Sequence, residues 1–388
     1  ENIKSSFIII LMKKKIAIIG AGLAGLTIAN FLKKDSSFEF MVYEKNDSIS
    51  LEEGYGIQLA NNSVSVLNKI NFSKISSENF YNPKSLDFYT IKNEKISSLN
   101  ISQFNTEQTK YTTLKRSTLI EFLKDEIYSQ HLRFGKKIKE VKEIKDKILL
   151  KFSDNTNDLV DYVVGADGAF SSTRSFFHSQ WKKPIFKKAI AIRTIIRADQ
   201  NIKINENNIS LLLGSNTHLV IYPINKKKEL NFVCIIRSKK YEPDNIRQLI
   251  ERSIYPQNSS LKNLFNTNIK SWPLYASSEI TPSFNNKVFY IGDAFNSFLP
   301  TFAQGAGQSI ESAHELYNSF KDKNTNFSDI YFKSRSKRIK SIRKRSDLNF
   351  FLFHFSSSLM QKIRNFFLQF LLKKKNFINI YIGKIYKN

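Results

Sequence analysis

The sequence predicts an α/β fold: a doubly wound, Rossmann-like sheet, an inserted mixed or antiparallel β-sheet, and a C-terminal helical tail. Three observations predict it. A short apolar run at Lys15–Gly20 ends in glycine and leads into a helix-forming stretch. Alternating β-type segments occupy residues 185–275, and residues 331–388 are basic, Phe-rich and helical in pattern. At 388 residues the chain has room for two to three domains of roughly 150 residues each. A 41% hydrophobic share excludes a mainly disordered chain.

The elements follow in order. Lys15–Gly20 reads as a buried strand, Ala21–Leu32 as a helix and Phe38–Glu44 as a second strand, which opens a doubly wound sheet. Residues 111–130 read as an amphipathic helix. Ile148–Phe152 and Leu159–Val164 read as strands, the second running into Gly165-Ala166-Asp167-Gly168. Ile190–Ile196, Ser210–Leu213, His218–Tyr222 and Leu230–Ile236 alternate in the manner of an antiparallel sheet. Lys287–Ile291 is a further buried strand, and a helix is expected from about Gln304 past Leu316.

Composition narrows the function. The lone cysteine, Cys234, excludes an intrachain disulfide framework and any cysteine-built zinc or iron–sulfur site, and fits a reducing compartment. The formal charge of +26 admits a polyanionic partner. Its excess lies in lysine, alongside abundant Asn, Ile and Phe, which is the habit of an AT-rich coding sequence; no nucleic-acid partner is expected. No run reaches the ~18 apolar residues of a bilayer span. Phe7–Met12 is too short for a signal-peptide core. Met12 before Lys13-Lys14-Lys15 resembles a natural start, with residues 1–11 an upstream extension, and the expected location is cytoplasmic.

Gly20-Ala21-Gly22-Leu23-Ala24-Gly25 is a GxGxxG turn between a strand and a helix, and Glu44 ends the next strand 24 residues after Gly20. That context is what a dinucleotide needs. Gly20 permits the tight turn, Gly22 admits the pyrophosphate to the backbone, and Gly25 lets helix and sheet approach. The helix start, with Leu23 and Ala24, offers free N–H groups to phosphate. Glu44 is placed to accept from ribose hydroxyls.

Two further motifs follow: Asp167-Gly168-Ala169-Phe170-Ser171-Ser172-Thr173-Arg174, and Gly292-Asp293 leading through Pro300 to Gln304-Gly305-Ala306-Gly307-Gln308. In this order the three motifs resemble the FAD-dependent aromatic hydroxylases, the single-component flavin monooxygenases of p-hydroxybenzoate hydroxylase fold, most of all the salicylate hydroxylase branch. The resemblance runs from Lys15 to about residue 345. It implies an FAD-binding domain from residues 12–72, 107–180 and 280–330, a substrate domain from 73–106 and 181–279, and a tail from 331. It implies FAD as cofactor, NADPH or NADH as cosubstrate, and dioxygen and a small phenolic substrate as reactants, by way of a flavin C4a-hydroperoxide. By the same resemblance Arg116 contacts the cofactor near its pyrophosphate. Asp167 and Gly168 serve FAD and NAD(P)H, and Asp293 binds the ribityl chain. Pro300, Gly305, Ala306 and Gly307 line the flavin ring. The chain departs from the pattern at Phe295 and Asn296, where the family has Ala-His, and at Ala303, where it has glycine.

His218 and Tyr222 lie four apart on one strand and so share a face. The resemblance puts that strand over the flavin, where a histidine of near-neutral pKa would deprotonate a phenol. Gln304 is a further candidate for orienting substrate. The basic run Lys333–Arg345 reads as a solvated helix face. The Phe-rich stretch Phe350–Leu372 reads as core, with a weak peripheral membrane contact left open. Two alternatives stand beside the phenolic acid: a polyprenylated phenol, and a flavin-binding protein that docks on an anionic surface without hydroxylating. Oligomeric state is not legible.

Overall fold

A computed structural model describes residues 13–49, 51, 55–197, 204–265, 268–278, 286–322 and 326–386. The apolar run Phe7–Met12 lies outside them. Five parallel strands form the first sheet, in the order Val288–Tyr290, Tyr162–Gly165, Lys14–Ile19, Phe38–Tyr43, Leu132–Arg133. The N-terminal strand sits at the centre, with Ile16, Ala17 and Ile18 fully buried, as a sheet covered on both faces requires.

Among the described residues the α-helices longer than one turn are, in chain order, α1 (Leu23–Leu32), α2 (Asn61–Asn68), α3 (Arg116–Asp125), α4 (Ser172–Phe177), α5 (Ile246–Ser253), α6 (Gly305–Lys321), α7 (Phe327–Phe353) and α8 (Ser358–Leu371). α1 packs against α6 and is buried from Ala24 to Leu32. Its close seat on the sheet depends on Gly25, where an added Cβ would meet Gly20 O at 2.0 Å.

The second sheet has seven strands. Their order is Lys270–Ala276, Ile185–Arg197, Glu229–Arg237, Thr217–Pro223, Ile209–Gly214, Ser85–Thr90, Lys95–Asn100. It is antiparallel except where Ile209–Gly214 runs parallel to Ser85–Thr90. Apolar residues of its inner face pack with the end of the chain, from Phe353 to Tyr386, in one core cluster.

Two element boundaries differ from expectation. Leu159–Val164 is not one strand: Asn157–Val160 pairs in a three-stranded antiparallel sheet, and Tyr162–Gly165 enters the parallel one. Asp161 makes the corner, its carboxylate accepting the Lys15 N–H at 2.8 Å. Residues 111–130 are not one helix either. The β-branched pair Thr112-Thr113 begins a strand, Thr112–Lys115, paired with Gly56–Leu59 and Phe80–Tyr81; the helix is confined to α3.

The basic run on α7 also needs correction. Lys333, Lys337, Lys340 and Lys344 are exposed, but Arg335 is buried and the other arginines turn inward. Arg335 and Arg338 enclose the buried Glu311 of α6, with Arg338 Nη2 2.9 Å and Arg335 Nη1 3.5 Å from its carboxylate. Arg343 donates to Ser278 O, and Arg345 to Tyr381 O and Ile380 O. This face holds the tail to the body. Among the described residues no helix is long and apolar enough to cross a membrane.

Candidate active site

The glycine turn forms an open cradle. Gly20 has φ +108°, a conformation that favours glycine, and a Cβ there would lie 2.6 Å from Ala166 O. Gly22 is different: a Cβ there would meet nothing within 4 Å. It stands at the N-terminus of α1, which has no side-chain cap, so free N–H groups face unfilled space beside Leu23 and Ala24. Glu44 Oε2 accepts the Ala21 N–H at 2.9 Å, which fixes the carboxylate beside the turn. An anionic pyrophosphate with its ribose fits this donor set.

A second edge of the cleft comes from the Asp293 turn and the start of α6. Asp293, Pro300, Ala303, Gly305 and Ala306 line a cavity of about 680 Å³. Gly305 also has open space where a Cβ would stand. Asp293 is open to the cleft yet ringed by protein; that desolvation pushes its carboxyl up to about 6, with Arg116 opposing. Arg116 begins α3, its N–H donating to Tyr55 O. Gly307 turns the other way: a Cβ there would meet Ser63 Oγ of α2 at 2.7 Å, and it does not line the cavity. Ala303 holds a left-handed φ of +50°, the conformation that its glycine equivalent would adopt freely.

Asp167 is committed within its own motif. Its carboxylate accepts from Ser172 Oγ, Thr173 N and Thr173 Oγ1 at 2.9–3.0 Å and from Ser171 Oγ at 2.5 Å. Arg174, fully buried, reaches Ala294 O at 2.9 Å and so ties this motif to the Asp293 turn. The departure at Phe295 has a packing reason: its ring is buried against Tyr331 and Phe332 of α7.

His218 and Tyr222 both line the cavity, as their spacing on one strand face requires. Gln304 does not. Its side chain is buried and accepts from Gln308 Nε2 at 3.2 Å, and Gln308 in turn accepts from Arg335. It braces α6 instead of facing substrate.

The expectation of a near-neutral His218 also fails. Burial, with His354 beside it, holds its pKa well below 6.5. His218 Nδ1 lies 3.1 Å from His354 Nε2, and His354 Nδ1 lies 2.7 Å from Phe350 O. A carbonyl only accepts, so His354 Nδ1 carries the proton there and its Nε2 accepts from His218 Nδ1–H. Burial lowers His354 to about 4, so the pair is neutral at pH 7. His218 Nε2 is left with a bare lone pair on a cavity-lining ring. Burial keeps the Tyr222 hydroxyl protonated, although Arg193 and the nearby Gln58 and Asn231 side chains pull the other way.

Sequence reasoning missed His354 and Arg193. His354 is 136 residues from its partner, and its one local signal is a lone polar residue inside Phe350–Phe355. Arg193, another cavity residue, lies over Trp272 at 5.9 Å. Of the cavity-lining residues, Arg193, Asp293 and Arg364 carry formal charge.

The chain is similar to known proteins along most of its length. The chain is 24% identical over 370 residues to a 3-amino-4-hydroxybenzoate 2-monooxygenase of Streptomyces platensis, covering 91% of this chain and 92% of that one. It is 21% identical over 325 residues to the 6-hydroxynicotinate 3-monooxygenase of Pseudomonas fluorescens, covering 79% and 83%. The HpxO protein of Klebsiella pneumoniae, solved with FAD and uric acid, superposes with a TM-score of 0.84 at 17% identity, over 96% of each chain. A salicylate hydroxylase substrate complex superposes at 0.73, with 17% identity over 95% and 98%. The FAD binding domain family matches residues 13–325, a span that takes in the Gly22 cradle, Glu44 and the Asp293 turn: the chain belongs to that family, and FAD is its cofactor.

Proposed function

We propose that this FAD-dependent aromatic monooxygenase hydroxylates a ring whose hydroxyl is held by His218 and Tyr222. The observation that carries the reading is that one cavity is lined both by Asp293, Pro300 and Ala306 and by His218 and Tyr222. In this reading Gly20, Gly22, Gly25 and Glu44 hold the ADP half of the cofactor. Arg116 and Asp293 hold its middle, and Pro300 and Gly305 flank its ring. Reduced by NAD(P)H, FAD supplies the oxygen-activating chemistry.

The remaining work falls to the chain. His218 Nε2 accepts the hydrogen bond of the ring hydroxyl, which raises electron density on the ring. Tyr222, kept protonated, donates to the same oxygen or its neighbour, and Arg193 draws in negative charge on the substrate. The apolar wall of Phe88, Leu211 and Val220 excludes water, so that oxygen reaches the ring before it is lost.

Volume bears on substrate size. A cavity of ~150 Å³ accepts a lone benzene ring. Even with room set aside for the flavin ring, about 680 Å³ exceeds that several-fold. The excess favours an aromatic head that carries an apolar chain over a bare phenolic acid. The test is NAD(P)H oxidation by the FAD-loaded protein, with phenolic acids and alkylated phenols compared and products identified. Stimulation with a hydroxylated product supports the reading. Flavin reduction indifferent to every phenol would overturn the assignment of His218 and Tyr222 to a ring hydroxyl.

A further inference from the structure

We propose that α8 docks on an anionic lipid bilayer, with the mouth of the substrate cavity turned to the lipid. Leu359, Met360, Ile363, Phe366, Phe367 and Phe370 recur at three- and four-residue spacing and so form one face of α8. Each is between 38% and 66% exposed, whereas the residue of this helix that is buried is Arg364. The arrangement is inverted for a helix whose only partner is its own core. Met360, Ile363 and Phe367 also line the cavity, as does Leu348 of α7, itself 48% exposed. The cavity therefore opens in the middle of this apolar patch.

Charge selects the occupant. No Asp or Glu follows Asp347 in the sequence, and Lys362, Lys373, Lys374 and Lys375 are exposed on or beside α8. A second copy of the chain would set these lysines against themselves across a two-fold contact, with no carboxylate of the tail beyond Asp347 to offset them. A nucleic acid would satisfy the lysines but leave six large apolar side chains in water. A bilayer with anionic headgroups satisfies both: phosphates meet the lysines, and acyl chains receive the Phe and Leu side chains.

The proposal concerns where the protein sits, and the experiment needs no turnover, so its failure leaves the hydroxylation reading standing, and the reverse also holds. The full-length, FAD-loaded protein is sedimented with phosphatidylcholine vesicles, with or without phosphatidylglycerol, at ~0.15 M salt where surface charges are screened beyond ~8 Å. Wild-type protein is expected to partition about tenfold more strongly to the anionic vesicles. Phe366→Ser and Phe370→Ser should each weaken that binding about tenfold while flavin content and melting temperature stay unchanged, because neither side chain is part of the core. Three outcomes overturn the proposal. Wild-type protein stays in solution with both vesicles; or binding ignores the Phe substitutions and vanishes with salt, the mark of non-specific attraction by a +26 chain; or the protein is a dimer that Phe366→Ser dissolves.

Discussion

At the scale of single residues, Gly22 and Gly25 of the turn should respond differently to an added side chain. Gly22→Val puts a branched side chain into open space, so the apoprotein should fold with unchanged stability and FAD retention should be abolished. Gly25→Ala would drive a Cβ to 2.0 Å from Gly20 O and should destabilise the fold itself, by roughly the 1–3 kcal/mol of an overpacked core position. Flavin absorbance after gel filtration, set beside urea melts, separates the two effects. His218 gives the second prediction. Its pKa lies well below 6.5, so the ring is already neutral throughout the physiological range. The product formed per NAD(P)H consumed should therefore show no histidine inflection near pH 6.5 and decline only in more acid solution. His218→Ala should lower that coupling about 10²-fold without loss of flavin; an inflection at 6.5 would assign the titration elsewhere. The cradle residues were legible because their chemistry is local: glycines, a strand end and a helix start within thirty residues. His354 was not legible, since its role exists only where the tail crosses the second sheet.

At the scale of elements, the tail shows where pattern reading fails. Residues 333–345 look uniformly basic, yet lysines and arginines part company in the structure, because a guanidinium forms several directed bonds at once and an ammonium stays hydrated. Glu311 is the centre of the arginine face. Burial works to raise its pKa, but Arg338 and Arg335 outweigh that and hold it below its ordinary value. A folded-state pKa below the unfolded one gives stability that is present above about pH 4.3 and lost as pH falls through the lower folded value. Glu311→Gln should remove that acid sensitivity and cost roughly 3 kcal/mol at pH 7, since it leaves Arg338 facing a neutral amide and Arg335 with Glu315 as its remaining carboxylate. Denaturant midpoints at pH 7 and pH 4 provide the check; an unaltered midpoint at pH 7 would mean that the arginines find other partners. Four of the seven strands of the second sheet were legible from alternation; Ser85–Thr90, Lys95–Asn100 and Lys270–Ala276 were not. Nor was the split at Asp161, because Leu159–Val164 is apolar but for that one aspartate, whose contacts with Lys14, Lys15 and Lys147 fix the corner between two sheets.

For the whole molecule, the chain order of the parallel sheet matters most. Lys14–Ile19 lies beside Tyr162–Gly165, which in turn lies beside Val288–Tyr290, so three strands far apart in sequence stand side by side at the proposed cofactor site. A fragment ending at residue 278 should therefore retain no FAD on gel filtration, despite its intact glycine turn. It lacks the edge strand, Asp293 and the start of α6, and stoichiometric flavin in that fragment would show the first 278 residues to be sufficient. The same order has a temporal side. Translation proceeds at ~5–20 residues per second, so residues 327–386, which supply His354, α8 and the outer wall of the cavity, emerge over several seconds after the cofactor cradle is complete. During that interval the nascent chain has the means to bind a redox cofactor but not yet the enclosure that keeps reduced oxygen from escaping. Ribosomes that stall inside α7 would release a species with the first property and without the second.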